Sequence, residues 1–186
     1  MPENKTAVYV ALLRGINVGG HRKVAMADCR RWFEELGYAQ VRTYVQSGNV
    51  VLRCAQPAAK LAPEIEDKLE QCAGFPVRVI IRSARELHKV RQRNPFLARP
   101  GVDLSKLHVT FLAKKPLASA RLSLAALAAK RDELEVAGAN LFLYCPAGYG
   151  QSKLSNNMLE RLTAAVATTR NWRTVNQLCA LCQECG

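Results

Sequence analysis

Tyr9-Val10-Ala11-Leu12-Leu13-Arg14-Gly15-Ile16-Asn17-Val18-Gly19-Gly20 is the stretch from which the rest of the chain can be read. Val8 to Leu13 is a short, partly β-branched apolar run bounded by turn residues, the pattern of a buried strand. Gly15, Gly19 and Gly20 then let the backbone turn and come close to a ligand. Arg14 stands at the strand end, Asn17 lies inside the loop, and Arg22 and Lys23 follow it. This is the local anatomy of a site for an anionic or polar ligand, and it names no reaction.

Outward from this loop, Met26 to Leu36 reads as an amphipathic helix closed by Gly37. Val41 to Val45 is a strand, Gln46-Ser47-Gly48-Asn49 a turn, and Val50 to Leu52 the returning strand of a hairpin. Pro57 to Cys72 is a helix that stops at Gly74, and Val77 to Ile81 is a further strand. The order β-α-β-β-α-β is the split βαβ, or ferredoxin-like, unit. Ser83-Ala84-Arg85-Glu86 is a capping box, so a helix starts there and ends before Asn94-Pro95.

After a connector broken by Pro95, Pro100 and Gly101, the pattern restarts. His108 to Leu112 is a strand, Ala118 to Lys130 a helix, and Leu134 to Val136 pairs with Leu141 to Tyr144 around Gly138-Ala139-Asn140. A helix from Ser155 to Ala165 and a closing helix from Arg170 to about Cys182 complete the chain. The fold class is therefore α+β, with two ferredoxin-like (split βαβ) halves packed together and a C-terminal helix. The division is 1–82, a helix and connector over 83–106, and 107–186. Phe33, Leu36, Val79, Phe111, Leu143 and Trp172 are the expected core markers.

The 186 residues carry 27 Lys+Arg against 15 Asp+Glu, a formal +12. Such an excess favours nucleic acid, anionic lipid or phosphorylated ligands. Aromatic residues make up only 6%, which argues against wide base-stacking surfaces. Seven cysteines in no framework spacing, no leader-like start and no apolar run of membrane-spanning length point to a cytoplasmic protein with reduced thiols.

Candidate ligand contacts fall in five places. Arg14, Asn17 and Lys23 flank the glycine loop, and Gln46 and Asn49 are polar residues of the hairpin turn, where conformational need alone accounts for them. Gly148-Tyr149-Gly150-Gln151-Ser152-Lys153 lacks the phosphate-loop order, since Ser152 precedes Lys153, but it leads into a helix start. Thr169 reads as the cap of the closing helix, with Arg170, Asn171 and Arg173 in its first turn. Arg82, Arg85, Lys89 and Arg93, spaced by three and four, align as a nucleic-acid face. Catalytic residues are not evident, because His21, His88 and His108 have no sequence-evident nucleophile or carboxylate partner. Cys179-x-x-Cys182-x-x-Cys185 is the one metal-like spacing, and a frayed tail accounts for it better than a metal does.

Four stretches carry a family resemblance: residues 11–20, residues 41–50, Gly148-Tyr149-Gly150-Gln151-Ser152-Lys153-Leu154, and Ala167-Thr168-Thr169-Arg170-Asn171-Trp172. Together they resemble the bacterial family known as domain of unknown function 1697, over nearly the whole chain and in matching order. The resemblance implies a pair of ferredoxin-like α+β subdomains and no settled activity. No family role carries over to Cys179, Cys182 or Cys185.

The functional expectation is a cytoplasmic protein that binds an anionic ligand, RNA or a nucleotide, through a basic cleft or face. Two alternatives stay open. One is an enzyme acting on a phosphorylated small molecule between the halves, with Arg14, Lys153 and Arg170 as an anion clamp. The other is an interaction module for an acidic protein. No cofactor, metal or membrane partner is called for, and the oligomeric state is not written in the sequence.

Overall fold

The computed structural model describes residues 6–128 and 132–186. The first half runs β1 (Ala7–Leu13), α1 (Met26–Glu35), β2 (Ala39–Tyr44), β3 (Asn49–Cys54), α2 (Ala58–Ala73) and β4 (Val79–Ser83). Helix α3 (Ala84–Gln92) follows. The second half repeats the order as β5 (Leu107–Leu112), α4 (Ala118–Ala128), β6 (Glu133–Ala137), β7 (Asn140–Tyr144), α5 (Asn156–Thr163) and β8 (Ala167–Asn171). Helix α6 (Trp172–Glu184) ends the chain. The expected end of α4 at Ala129 and Lys130 lies outside the described residues.

Each half builds one four-stranded antiparallel sheet, in the orders β2-β3-β1-β4 and β6-β7-β5-β8, which are the same permutation. The match extends to register. Leu12 pairs with Asn49 as Phe111 pairs with Asn140, and Val10 pairs with Arg82 as Val109 pairs with Arg170. The strand exits match too: Leu13 N donates to Gly48 O and Leu112 N to Ala139 O, while Arg14 N donates to Arg78 O and Ala113 N to Val166 O. Two ferredoxin-like halves on one frame are thus present.

Burial follows the strand alternation. Ala11 and Leu13 of β1 and Val50 and Leu52 of β3 meet Phe33 of α1 and Leu61, Ile65 and Leu69 of α2 in one cluster. In the second half, Leu112, Leu141 and Leu143 meet Leu124 of α4 and Leu159 of α5. Each buried Val, Leu, Ile or Phe among them contributes about 2 kcal/mol of hydrophobic stabilisation. Val10 and Leu12 on the other face of β1 are also fully buried, which explains the unbroken apolar run. Of the expected core markers, Phe33, Val79, Phe111, Leu143 and Trp172 are buried; Leu36, the C-cap of α1, is half-buried.

Caps and turns place the boundaries. Gly74 ends α2 in the left-handed region at φ 78°. The capping box is formed, with Ser83 N donating to Glu86 Oε2 at 2.8 Å and Glu86 N to Ser83 Oγ at 3.2 Å.

The eighth strand corrects the sequence reading. The sequence pattern starts the closing helix at Arg170 with Thr169 as its cap, but Ala167–Asn171 pairs with β5 as β8. The helix starts at Trp172, and Asn171 Oδ1 accepts from Thr174 N at 2.8 Å as its cap. The β-branched Thr168 and Thr169 suit an extended strand paired to β5.

The chain divides into two compact units, Met1–His88 with Gln177–Gly186, and Lys89–Asn176. The closing helix is divided between the units, its residues from Gln177 onward counting with the first. There Cys185 Sγ lies 3.8 Å from Gln40 O, and Arg42 Nη1 donates to Glu184 Oε2. Among the described residues no helix is long and apolar enough to cross a membrane.

Candidate functional site

Because the two halves share a frame, their loops can be compared position by position. Residues 14–25 join β1 to α1, whereas residues 113–117 make the equivalent connection from β5 to α4. Residues 55–57 join β3 to α2, whereas residues 145–155 join β7 to α5. The fold does not need these extra lengths, since each half closes its sheet without one of them. The glycine-rich loop of the first half and the tyrosine loop of the second are elaborations.

Asn17 organises the first loop. Its Nδ2 donates to Val24 O and to Gln46 O, both at 2.9 Å, and its Oδ1 accepts from Val24 N at 2.9 Å. The side chain thus bridges the loop and ties it to the hairpin turn over 45–48. Asn49 does similar work inside that turn: fully buried, it donates from Nδ2 to Tyr44 O at 3.0 Å and to Ser47 Oγ at 3.1 Å. Asn17 and Asn49 were picked from the sequence as ligand contacts; in the fold these amides hold backbone. Gly48, at φ 79°, has no room for a side chain, because a Cβ would lie 2.7 Å from Leu13 Cβ.

Around this braced pair of loops the chain collects cations and two exposed valines. Residues 14–27 and 45–48 contain no Asp or Glu, while Arg14, Arg22 and Lys23 fall within the first segment. Lys23 and the side chain of Gln46 are exposed and Arg14 is half-buried. Val18 is 66% exposed and Val45 47% exposed. Val45 is β-branched yet sits in the left-handed region at φ 49°, as do Asn17 at 54° and Arg22 at 51°. Arg22, which the sequence noted but did not select, folds back across the loop. Its Nη2 donates to Pro76 O, and its guanidinium carbon stands 5.2 Å from the centroid of Phe75. Those partners lie far along the chain, and only a cationic residue after a glycine loop hinted at the role.

In the second half Lys153 is exposed, in the tyrosine loop just before α5. That loop is pinned by its neighbours. Tyr149 OH donates toward Leu154 O and Thr169 Oγ1, each at 3.1 Å, and its ring stacks on His108 with centroids 4.9 Å apart. Thr169 Oγ1 donates to Asn156 Oδ1 and meets Thr110 Oγ1, each at 2.7 Å. Ser152 Oγ donates to Asp132 Oδ2 at 2.6 Å and accepts from Leu154 N. Burial holds His108 below its ordinary pKa, while a weaker hydrogen bond to Lys106 O opposes the shift. The sequence reading missed this network because its members come from five separate segments.

The remaining candidates scatter. Arg170 is not in a helix turn but inside β8; it is 6% exposed, and Nη1 donates to Thr168 Oγ1 at 2.7 Å and Thr169 O at 2.9 Å. Burial pushes its pKa down to about 10, with Tyr149 acting the other way. Arg82 occupies the equivalent position of β4, is 8% exposed, and donates from Nη1 to Ile81 O. It therefore does not join a helical face, because the helix begins only after Ser83. Arg85 and Lys89 are exposed one turn apart on α3, Arg93 is exposed beyond its end, and Arg173 is exposed in the first turn of α6. Asn171 is the cap described above.

Cys179 and Cys182 of α6 and Cys185 just beyond its end are buried, and Cys179 Sγ lies 3.7 Å from Leu87 O. Among the described residues no group of three or more His, Cys, Asp or Glu side chains could hold a metal ion. An open groove of about 770 Å³ beside the start of α2 is lined by Pro57, Lys60, Pro63, Glu64 and Asp67.

A family model described as protein of unknown function (DUF1697) matches residues 7–142, a span that includes the glycine loop and the hairpin turn. A solved structure described as conserved bacterial protein SP0830 from Streptococcus pneumoniae is similar with a TM-score of 0.75. The two are 22% identical, and the likeness covers 96% of this chain and 99% of that one, a likeness of fold. The comparison with curated proteins gives no match.

Proposed function

The chain belongs to the family described as protein of unknown function (DUF1697), and from that premise we propose that it binds an anionic ligand, RNA or a nucleotide, on loop 14–25 and turn 45–48. The observation that carries this reading is the unequal loop. The second half makes the same connection with residues 113–117, so loop 14–25 is surplus to the fold. It is nevertheless braced by three hydrogen bonds through one side chain, Asn17. A surplus loop held rigid, cationic and free of carboxylates is suited to a ligand that brings negative charge. The chain's +12 formal charge supports the same class of ligand and its attraction over a distance. In this reading the protein works in the cytoplasm, where RNA and nucleotides are available.

Binding of a fluorescein-labelled single-stranded RNA decamer, followed by anisotropy across a salt series and competed with ATP, tests the proposal. Affinity should fall steadily as salt rises. Lys23→Ala should make the dependence of log K on log salt shallower by about one. The proposal fails if the decamer and ATP both leave the anisotropy and melting temperature unchanged at low salt. It fails equally if Lys23→Ala leaves the slope as it was.

A further inference from the structure

Arg22 is the residue of the first loop whose placement asks for more than charge. A cation meant only to attract phosphate would extend into solvent. Arg22 instead takes a left-handed backbone conformation, at φ 51°. Its guanidinium then lies over the Phe75 ring at 5.2 Å, and Nη2 donates to Pro76 O. Its path also crosses Gly15, where a Cβ would lie 3.7 Å from Nη1. Ring and carbonyl together hold the guanidinium in place beside Gly15, while the residue as a whole stays exposed.

We infer that Arg22, backed by Phe75, is a stacking platform for one nucleobase, so that the ligand of this loop is a single strand with an unpaired base rather than a bare phosphate. The inference rests on the anion-binding reading above and specifies its ligand. A planar guanidinium offers a flat face on which bases stack, as aromatic rings do, and it adds charge. Phe75 stands on one side of the guanidinium, and in this inference the base takes the other side. Lys23, next in the chain, is exposed for the adjoining phosphate, and exposed Val18 and Val45 supply apolar surface for ribose or base edges. One fixed arginine can thus do the work of the aromatic surfaces that a 6% aromatic content leaves scarce.

The test compares a labelled oligouridylate decamer with an abasic ribose-phosphate decamer of equal charge, on the full chain. Wild-type protein should bind the base-bearing strand about tenfold more tightly. Arg22→Lys, which keeps the charge and removes the plane, should erase that preference while the salt slope and melting temperature stay close to wild type. If Arg22→Lys folds poorly, Phe75→Leu gives the same reading by removing the ring beneath an intact arginine. Equal binding of the two decamers by wild-type protein, or a preference that survives both substitutions, overturns the stacking platform and leaves the anion site standing. Failure of wild-type protein to bind either decamer overturns the platform, and failure to bind ATP as well overturns the anion-binding reading itself.

Discussion

Replacing Gly48 with Ala tests whether the loop and the hairpin turn are locked together as described. Two costs add. The backbone at φ 79° puts an L-residue in the left-handed region, worth about 1–2 kcal/mol. The new Cβ would also lie 2.7 Å from Leu13 Cβ and 2.8 Å from Ile16 Cδ1. Ile16 Cδ1 is the end of a side chain and can swing, but Leu13 Cβ is fixed to a strand paired on both sides. Overpacking of this kind costs about 1–3 kcal/mol, so the total is about 2–5 kcal/mol. For a chain of this size that lowers the melting temperature by about 4–20 °C. Gly20→Ala is the matched control, because it has the same φ of 79° with nothing within 4 Å of its Cβ, and it isolates the backbone cost. Denaturant melts of both variants should place Gly48→Ala well below Gly20→Ala. Equal stability would mean that the turn moves freely away from Leu13 and Ile16, and the rigid loop pair would be lost.

Tyr149→Phe keeps the ring stacked on His108 but deletes the hydroxyl that reaches Leu154 O and Thr169 Oγ1. It should cost about 1–2 kcal/mol in a denaturant melt, and an unchanged midpoint would remove the network from the account of this loop. No cysteine forms a disulfide and Cys72 is the exposed one, so a thiol reagent should modify one cysteine rapidly in native protein and all seven in denaturant. Burial raises Cys29 and Cys182 from 9.0 to about 12 and Cys145 to about 11. Above pH 9 the unfolded chain therefore releases thiol protons that the folded chain retains. The stability these groups contribute is complete below pH 9 and is lost as pH rises toward 11 to 12. Melting temperatures that hold steady or rise from pH 8.5 to 11 would contradict that burial.

What could be read from the sequence was what local chemistry decides. The strand β1, the stop at Gly74 and the Ser83–Glu86 capping box are each specified by residues within a few positions of one another. The repeat was visible as Gly48-Asn49-Val50-Val51-Leu52 against Ala139-Asn140-Leu141-Phe142-Leu143, and the two asparagines do hold the same register position. Strand β8 escaped because Thr169 and Asn171 are both natural caps, and a buried arginine between them has no sequence signature. The glycine loop was legible as a segment of the chain, and its internal contacts were not. Asn17 reaches Gln46, and Arg22 reaches Phe75 and Pro76. Those contacts exist only once β1, β3 and β4 are side by side, so spacing along the chain could not reveal them.

The duplicated frame supplies an internal control for deciding which features of the chain the fold itself requires. Features common to both halves, such as the sheet order, the paired asparagines and the buried arginines of β4 and β8, serve the scaffold. Features of one half alone need another reason. Three of the non-glycine residues held in the left-handed region, Asn17, Arg22 and Val45, lie in the first half's loop and turn. Each such residue costs on the order of 1–3 kcal/mol unless its surroundings enforce it. The second half shows that β1 and α1 could be joined without a loop of this kind, so folding gains nothing from that strain. What accompanies the strain is a fixed surface: Asn17 clamps the loop to the turn, Val45 is exposed, and Arg22 is held over Phe75. A short connection would close the sheet, so these strained positions set the first half's loop apart from its counterpart and make it the place where the binding proposal is to be tested.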